Sequence, residues 1–535
     1  MLTAAVCAPI VGGQTRGLGR ISFPTSGPSN AQAAFLRGVA LLHNFEYDDA
    51  IDAFRDAQRL APLFAMAYWG EAMCYNQPLW YNENVGKARA ALGRLGPTRE
   101  ARAAKIPTAR ERGYLDAVEW LFGDGDRPAR IRAYADRMAA LSADYPADDE
   151  AALFSALASL ASIPEGQRNA DVSLKAGAIA SSVLKKNPQH PGAAHYALHA
   201  YDDGENNRLG LEAARIYASI APRSSHALHM PSHGFLPLGM WDEAVASDEA
   251  SWAASVAWVR RTGRTAAQQD FHSLSWLHYE YLQQGRFGKS REAADLVQRA
   301  LDAMPVGGRQ TPPGGAHHVE SEIGRGYGAM SLRNELAAMR ARYVVESRDW
   351  PSMKGQKTFD NIDELFALGL SSVALGDRAR AETALEHLRQ AASAPDRDAA
   401  EIASIMSDQL AGLQQFASGS RDAALRTLAR AVEAEARRPR PIARPYPIKP
   451  ANELYGEILL AAGDASGAMA QFKAALGRTP RRAASLLGLA AAASVAGARA
   501  ECAGAAREFL QVWHLADPGR PEIADVKRWL EAASR

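Results

Sequence analysis

Apolar residues recur every three or four positions along most of the chain, which is the spacing of amphipathic helices. Residues 31–62, AQAAFLRGVALLHNFEYDDAIDAFRDAQRLAP, carry two such patterns separated by a short turn. Small or aromatic residues stand where two antiparallel helices would pack closely, and a proline closes the unit: Gly38, Ala50, Phe54, Ala57 and Pro62. Residues 452–480 repeat the arrangement with Gly456, Ala468, Phe472, Ala475 and Pro480. Together with abundant alanine and few β-branched residues, this pattern predicts an all-α protein built from helical hairpins.

The hairpin pattern repeats with a countable period. Weaker copies lie at residues 368–388 and 410–432, and Pro188 and Pro222 stand 34 residues apart, each closing one unit. A chain of 535 residues would ordinarily form several globular domains, whereas a repeat array grows along one axis. We therefore predict a tail (1–25), N-terminal repeats (26–187), central repeats (188–305), a loop insertion with a helix (306–360) and C-terminal repeats (361–535).

These matches resemble the tetratricopeptide repeat (TPR) superfamily over most of residues 30–305 and 360–515. More narrowly, the stretches HNFEYDDAIDAFRDA, AMAYWGEAM, HPGAAHYALHAYDD and HALHMPSHGFLPLGMWDEA resemble bacterial repeat proteins distantly similar to tetratricopeptide repeat protein 38. That group supplies no activity to carry over. The resemblance implies a solenoid, or superhelix, whose concave groove is lined by the first helix of each unit. TPR proteins usually bind peptides there, and their best-known mode clamps a carboxylate with Lys and Asn.

Histidines occupy those groove positions in the central repeats. Residues 226–233, HALHMPSH, hold three of the thirteen histidines in the chain. Spacings of four residues (His195/His199, His229/His233) and of three (His226/His229) place side chains on one helix face. Helices pack about 8–10 Å apart and four residues rise about 6 Å, so four imidazoles at these corners can converge on one ion. We predict that His195, His199, His229 and His233 bind a metal.

Other residues are expected to complete this centre. His226 and Asp202 are predicted to add a ligand, an acid or a base. In the next unit, the groove position depends on where the repeat is counted from. Counting back from its turn, QGRFG, places His272 in the groove, whereas counting back from its second helix places His278 there. We favour His272 because the turn directly follows the helix that carries it. His43 also falls on the groove side, but far along the stack unless the superhelix curls back.

The donor set indicates the class of ion and the class of function. Imidazole with carboxylate and without thiolate suits Zn²⁺, Cu²⁺ or Fe²⁺. HEXXH, GxGxxG after a strand, the P-loop and GxSxG are not found. We expect a metal-dependent enzyme acting on a small molecule, with hydrolysis and oxidation both open. The alternatives are a scaffold that binds a peptide or protein partner in the groove and a metal storage or delivery protein.

Three further residues are candidates for substrate binding. Trp69 falls on the groove side of its helix, so it is predicted to wall a pocket, although its aromatic neighbours favour the core. Arg342 and Tyr343 are predicted to bind a substrate carboxylate or another anion. The Pro- and Gly-rich residues 306–330 are expected to form a loop over the groove, with at most one of His317 and His318 facing it.

Charge and cysteine content narrow the choice of partners. Lys+Arg number 61 and Asp+Glu 60, which argues against nucleic acid and anionic membrane surfaces. The three cysteines are too far apart to suggest a disulfide framework. The start, MLTAAVCAPIVGG, is too short to span a bilayer and has no basic region ahead of its apolar run. We expect a soluble cytoplasmic protein, with a removed signal peptide as the alternative.

Overall fold

The computed structural model describes residues 16–304, 329–356, 359 and 361–534, and helices dominate them. Most of the predicted loop 306–330, including His317 and His318, lies outside the described residues, as does most of the predicted tail 1–25. The all-α TPR-like fold is confirmed. Within the described residues, no helix is long and apolar enough to cross a membrane.

The described residues form 25 α-helices in chain order. Those of the N-terminal half are α1 Ser29–His43, α2 Tyr47–Leu60, α3 Ala65–Met73, α4 Val85–Leu95, α5 Arg99–Ala103, α6 Ala109–Leu121, α7 Arg127–Asp144, α8 Asp149–Ala161, α9 Ala170–Lys186, α10 Pro191–Tyr201, α11 Leu211–Ile220 and α12 Ser225–Phe235. Those of the C-terminal half are α13 Trp241–Thr262, α14 Phe271–Gln283, α15 Phe287–Asp302, α16 Ala329–Ser347, α17 Ile362–Ala374, α18 Arg378–Ala391, α19 Arg397–Ala417, α20 Arg421–Ala436, α21 Ala451–Ala461, α22 Ala465–Arg478, α23 Ala483–Ala496, α24 Arg499–Val512 and α25 Pro521–Ser534.

Short elements fill the connections between these helices. The 3₁₀ turns are Pro78–Trp80, Asn207–Gly210, Leu236–Leu238, Ala266–Gln268 and Trp350–Met353. Two short strands, β1 Asn76–Gln77 and β2 Asn82–Glu83, pair antiparallel, with Asn76 opposite Glu83 and Gln77 opposite Asn82. This small sheet surrounds the first 3₁₀ turn, which carries Trp80 towards the histidines described below.

The hairpins close where the sequence has its small residues. In α1, a Cβ on Gly38 would stand 2.7 Å from the ring of Phe54 in α2, so only glycine allows this approach. Gly456 of α21 and Phe472 of α22 repeat the contact, since a Cβ on Gly456 would stand 3.0 Å from the Phe472 ring. Phe54 and Phe472 are both fully buried. The predicted packing of a small residue against an aromatic ring is therefore present within the α1–α2 hairpin and within the α21–α22 hairpin.

The chain divides into two compact units, each with its own core. The described residues of the first unit are 16–231 and 253–258; those of the second are 232–252, 259–304, 329–356, 359 and 361–534. In the first unit, Phe23, Phe35, Trp69 and Tyr114 form an aromatic core with ring centroids 4.9–5.6 Å apart. In the second unit, residues of α16–α19 form a hydrophobic cluster that includes Phe366, Leu388 and Met406.

Candidate metal centre

Three histidine nitrogens of the first unit converge between α10 and α12. Nε2 of His195 lies 2.9 Å from Nε2 of His226 and 3.0 Å from Nε2 of His199. His195 is fully buried and His226 is 9% exposed, whereas His199 is partly exposed. The three nitrogens thus meet at the edge of the buried core, with one side accessible from solvent.

Local sequence explains how the two helices present these side chains. Pro191 begins α10, where its missing N–H costs nothing, and the side chain of His190 caps the helix by accepting a hydrogen bond from Ala193 N at 3.3 Å. One helical turn then separates His195 from His199, so both rings face the same way. His226 is the second residue of α12 and enters from the neighbouring hairpin.

The backbone fixes which nitrogen of His195 is available. Its Nδ1 lies 2.6 Å from the carbonyl oxygen of His43, so Nδ1–H donates and Nε2 carries the lone pair. One in-plane lone pair cannot accept good hydrogen bonds from two imidazoles at once. A cation between the three nitrogens removes that conflict, because each neutral imidazole then contributes its own lone pair.

Aromatic rings surround the three imidazoles. The Phe45 ring centroid lies 4.3 Å from His195, 5.7 Å from His199 and 5.6 Å from His226. Trp80 meets His226 edge-on at 5.4 Å, and Tyr217 stacks on His195 at 5.2 Å. Such an apolar shell limits water access on one side of a metal site and lowers the local dielectric constant.

A second polar cluster lies directly behind His195. His43 Nε2 is 2.7 Å from Glu150 Oε2, His190 Nε2 is 3.3 Å from Glu150 Oε1, and Tyr196 Oη is 2.9 Å from His43 Nδ1. His43, Glu150 and His190 are each at most 2% exposed. The sequence places His43 far along the stack unless the superhelix curls back; within the first unit, α1 does lie against α10.

Protonation of this second cluster follows from burial and from its contacts. Burial opposes ionisation of Glu150, but His43 and His190 outweigh it and hold the pKa of Glu150 at about 2. Burial lowers the pKa of His43 and outweighs the opposing effect of Glu150. At neutral pH Glu150 is therefore a carboxylate that accepts a hydrogen bond from the neutral imidazole of His43. Because His190 Nδ1 caps α10, its Nε2 keeps the proton and is not available to bind a metal. The cluster is a closed hydrogen-bond network.

The remaining predicted histidines are divided between the units. His229 belongs to the first unit and is 1% exposed. His233 and His272 belong to the second unit, with ring centroids 6.2 Å apart, and the Trp276 ring lies 4.3 Å from His233. The assignment of His229 and His233 to one ion with His195 and His199 stays a prediction, as does the role of His272 in completing that centre.

His272 and His278 both lie on α14, but in different environments. His272 is exposed, whereas His278 is fully buried and neither of its ring nitrogens has a hydrogen-bond partner among the described residues. Burial, followed by Arg444 and Arg342, keeps the pKa of His278 well below its ordinary value. His278 is therefore neutral.

The other predicted site residues have contacts of their own. Asp202 follows the last residue of α10 and accepts from Asn207 Nδ2 at 3.5 Å. Trp69 is 1% exposed within the aromatic core. In the second unit, Arg342 is 5% exposed and donates to the carbonyl of residue 445 at 2.9 Å, and Tyr343 packs against Phe287 at 6.3 Å. Their catalytic and substrate-binding roles stay predictions.

Similarity to known proteins is low, and it lies in solved structures that are 12–13% identical to this chain. No family model and no curated protein matches the chain. Among solved structures, a human IFIT1 dimer with PPP-AAAA is 12% identical, with 91% of each chain covered and a TM-score of 0.34. The TPR domain of P58(IPK) is 12% identical over 88% of this chain and 99% of that one, with a TM-score of 0.25. A TPR protein from Parabacteroides merdae is 13% identical over 58% of this chain and 99% of that one, with a TM-score of 0.28.

Proposed function

We propose that this TPR-like protein binds one divalent transition-metal ion through Nε2 of His195, His199 and His226, and acts on a small molecule there. The observation that supports it is the convergence of the three nitrogens, with His195 Nε2 within 3.0 Å of both others. Metal–imidazole bonds of about 2.0–2.1 Å separate neighbouring donor nitrogens by about 2.9–3.4 Å, depending on the angle between the bonds. The two distances from His195 Nε2, 2.9 and 3.0 Å, fit that range.

Three protein ligands favour chemistry over a purely structural role. Structural zinc sites are closed by four protein ligands, whereas catalytic ones keep a position for water or substrate. When bound, the ion would lower the pKa of a coordinated water or polarise a substrate atom. The chain's own part is to orient His195 through the carbonyl of His43 and to shield one side with Phe45 and Trp80. Three imidazoles suit Zn²⁺, Cu²⁺ and Fe²⁺, so hydrolysis and oxidation are both open.

Calorimetric titration of the metal-free protein with each of these ions tests the site. We expect one ion per chain in the wild type and a loss of at least 100-fold in affinity in His199→Ala and in His226→Ala. His387→Ala is the matched control, because His387 is an exposed histidine of α18. Equal affinity in His226→Ala and His387→Ala would contradict the proposal.

The open position has its own test. Cobalt-loaded protein should change its visible absorption on addition of azide, because an exogenous ligand then replaces water on the ion. An unchanged spectrum at saturating azide would indicate a closed structural site, and the enzymatic part of the proposal would fall.

A second candidate is a scaffold for a peptide or protein partner. The observation that favours it is an open groove of about 760 Å³ in the first unit, whose lining residues include the polar Ser22, Thr25, Arg110, Asp144 and Asp148. Helical-repeat proteins use extended surfaces of this kind for binding. A partner whose binding is lost in Asp144→Arg and kept in His199→Ala would favour the scaffold, because Asp144 is exposed in the groove and His199 is not part of it.

A further inference from the structure

The turn between α1 and α2 has an unusual backbone. Phe45 has φ +56°, in the left-handed region that a bulky side chain rarely adopts. A non-glycine residue held there is strained and persists only when its surroundings fix it. Phe45 is nonetheless 1% exposed, so its ring is packed and not displaced towards solvent.

Neighbouring residues fix this turn from three directions. The Asn44 side chain donates to the carbonyl oxygens of Leu18 at 3.2 Å and Ala40 at 2.8 Å. Tyr217 of α11 donates to Asn44 Oδ1 at 2.9 Å. Ser224, two residues before His226, donates to Glu46 at 2.5 Å. The turn is thereby connected to the start of α12, which supplies one of the three nitrogens.

The left-handed conformation aims one ring at all three imidazoles. Phe45 meets His195 edge-on at an interplanar angle of 63°, and lies nearly parallel to His199 at 24° and to His226 at 21°. The residue two positions earlier supplies the carbonyl that accepts from His195 Nδ1. A single turn thus restrains the rotation of every proposed ligand, although it contributes no ligand itself.

We propose that Phe45 is a positioning residue for the metal centre: the α1–α2 turn, residues 44–46, holds its ring against His195, His199 and His226, so that their nitrogens are placed before the ion binds. The inference rests on the proposed function. Imidazoles that are already oriented lose less rotamer entropy on binding, which raises affinity. A smaller, flexible side chain would leave the rings free to rotate and would admit water on that side.

The experiment compares Phe45→Leu with Phe35→Leu in the full chain. Both phenylalanines are fully buried in the first unit, but Phe35 packs on Phe54 and Phe64 instead of the histidines. Zinc affinity is measured by competition with a chromophoric chelator, and cobalt absorption reports the coordination geometry. Loss of partners around a metal ligand typically costs 10–100-fold in affinity. We expect at least a tenfold loss and a shifted cobalt spectrum in Phe45→Leu, with Phe35→Leu unchanged in both.

Several outcomes would overturn the inference. Wild-type affinity in Phe45→Leu, or an equal loss in Phe35→Leu, would show that the ring acts only through general packing. Phe45→Met is the second variant if Phe45→Leu does not fold, and it should also weaken zinc binding at least tenfold. If the wild type itself binds no ion, the proposed function fails as well, and the wild-type titration alone reveals that case.

Discussion

Replacing Glu150 with Gln should remove a pH-dependent part of the stability of the first unit. The folded pKa of about 2 lies below the ordinary value of 4.5, so ionised Glu150 stabilises the fold above pH 4.5, and this stabilisation is lost as the pH falls towards 2. At about 1.4 kcal/mol per tenfold change in proton affinity, the contribution is about 3 kcal/mol at pH 7 and about 1.4 kcal/mol at pH 3. His43 and His190 supply this stabilisation through their contacts with the carboxylate.

Chemical denaturation followed by circular dichroism at pH 7 and at pH 3 measures the effect. We expect the difference in unfolding free energy between wild type and Glu150→Gln to shrink by about 2 kcal/mol from pH 7 to pH 3. Glu433→Gln, which removes an exposed carboxylate of α20, should change neither value. A difference that stays constant over this range would refute the reasoning, because it would mean that Glu150 has similar proton affinity in the folded and unfolded chains.

Two further substitutions test the packing around His43 in the first unit and the buried carboxyl groups of the second unit. A Cβ on Gly192 would lie 2.3 Å from His43 Nδ1, so Gly192→Ala should displace His43. We expect this variant to have a lower melting temperature in thermal unfolding and weaker zinc binding in titration. A Cβ on Gly93 would have no atom within 4 Å, so Gly93→Ala should leave both the melting temperature and the zinc affinity unchanged. Burial keeps the pKa values of Asp248 and Glu280 well above ordinary; Asp248 raises the pKa of Glu280 further, whereas the hydrogen bond from Glu280 opposes the rise at Asp248 without cancelling it. Raised carboxyl pKa values cost stability as the pH rises above about 4, so Asp248→Asn should melt higher than wild type at pH 8 and lose that advantage at pH 4; equal melting at both would contradict it.

The sequence predicts what depends on short spacings. Gly38 and Phe54 identify a hairpin because both helices lie within one unit, and the structure confirms their contact. His195 and His199 share a face because they are four residues apart. His226 was expected to complete the shell or to act as acid or base, and its nitrogen lies as close to His195 as that of His199 does.

The surroundings of the site depend on contacts that no local pattern encodes. His43 and His195 meet across 152 positions, and His43 and Glu150 across 107. How far the hairpins curl decides whether such residues meet, and the curvature is the sum of many small helix crossings. The left-handed backbone of Phe45 has no sequence signal either, because position 45 in HNFEY carries a phenylalanine and not the glycine that usually marks this conformation. A histidine at the end of α1 and a carboxylate at the start of α8 become recognisable as partners only once the fold is known.

The most direct test of the central claim is anomalous diffraction from crystals grown with zinc, recorded at the zinc absorption edge. We expect one peak about 2.0–2.1 Å from Nε2 of His195, His199 and His226. A peak bound elsewhere, or no peak at these three nitrogens in zinc-saturated crystals, would contradict it.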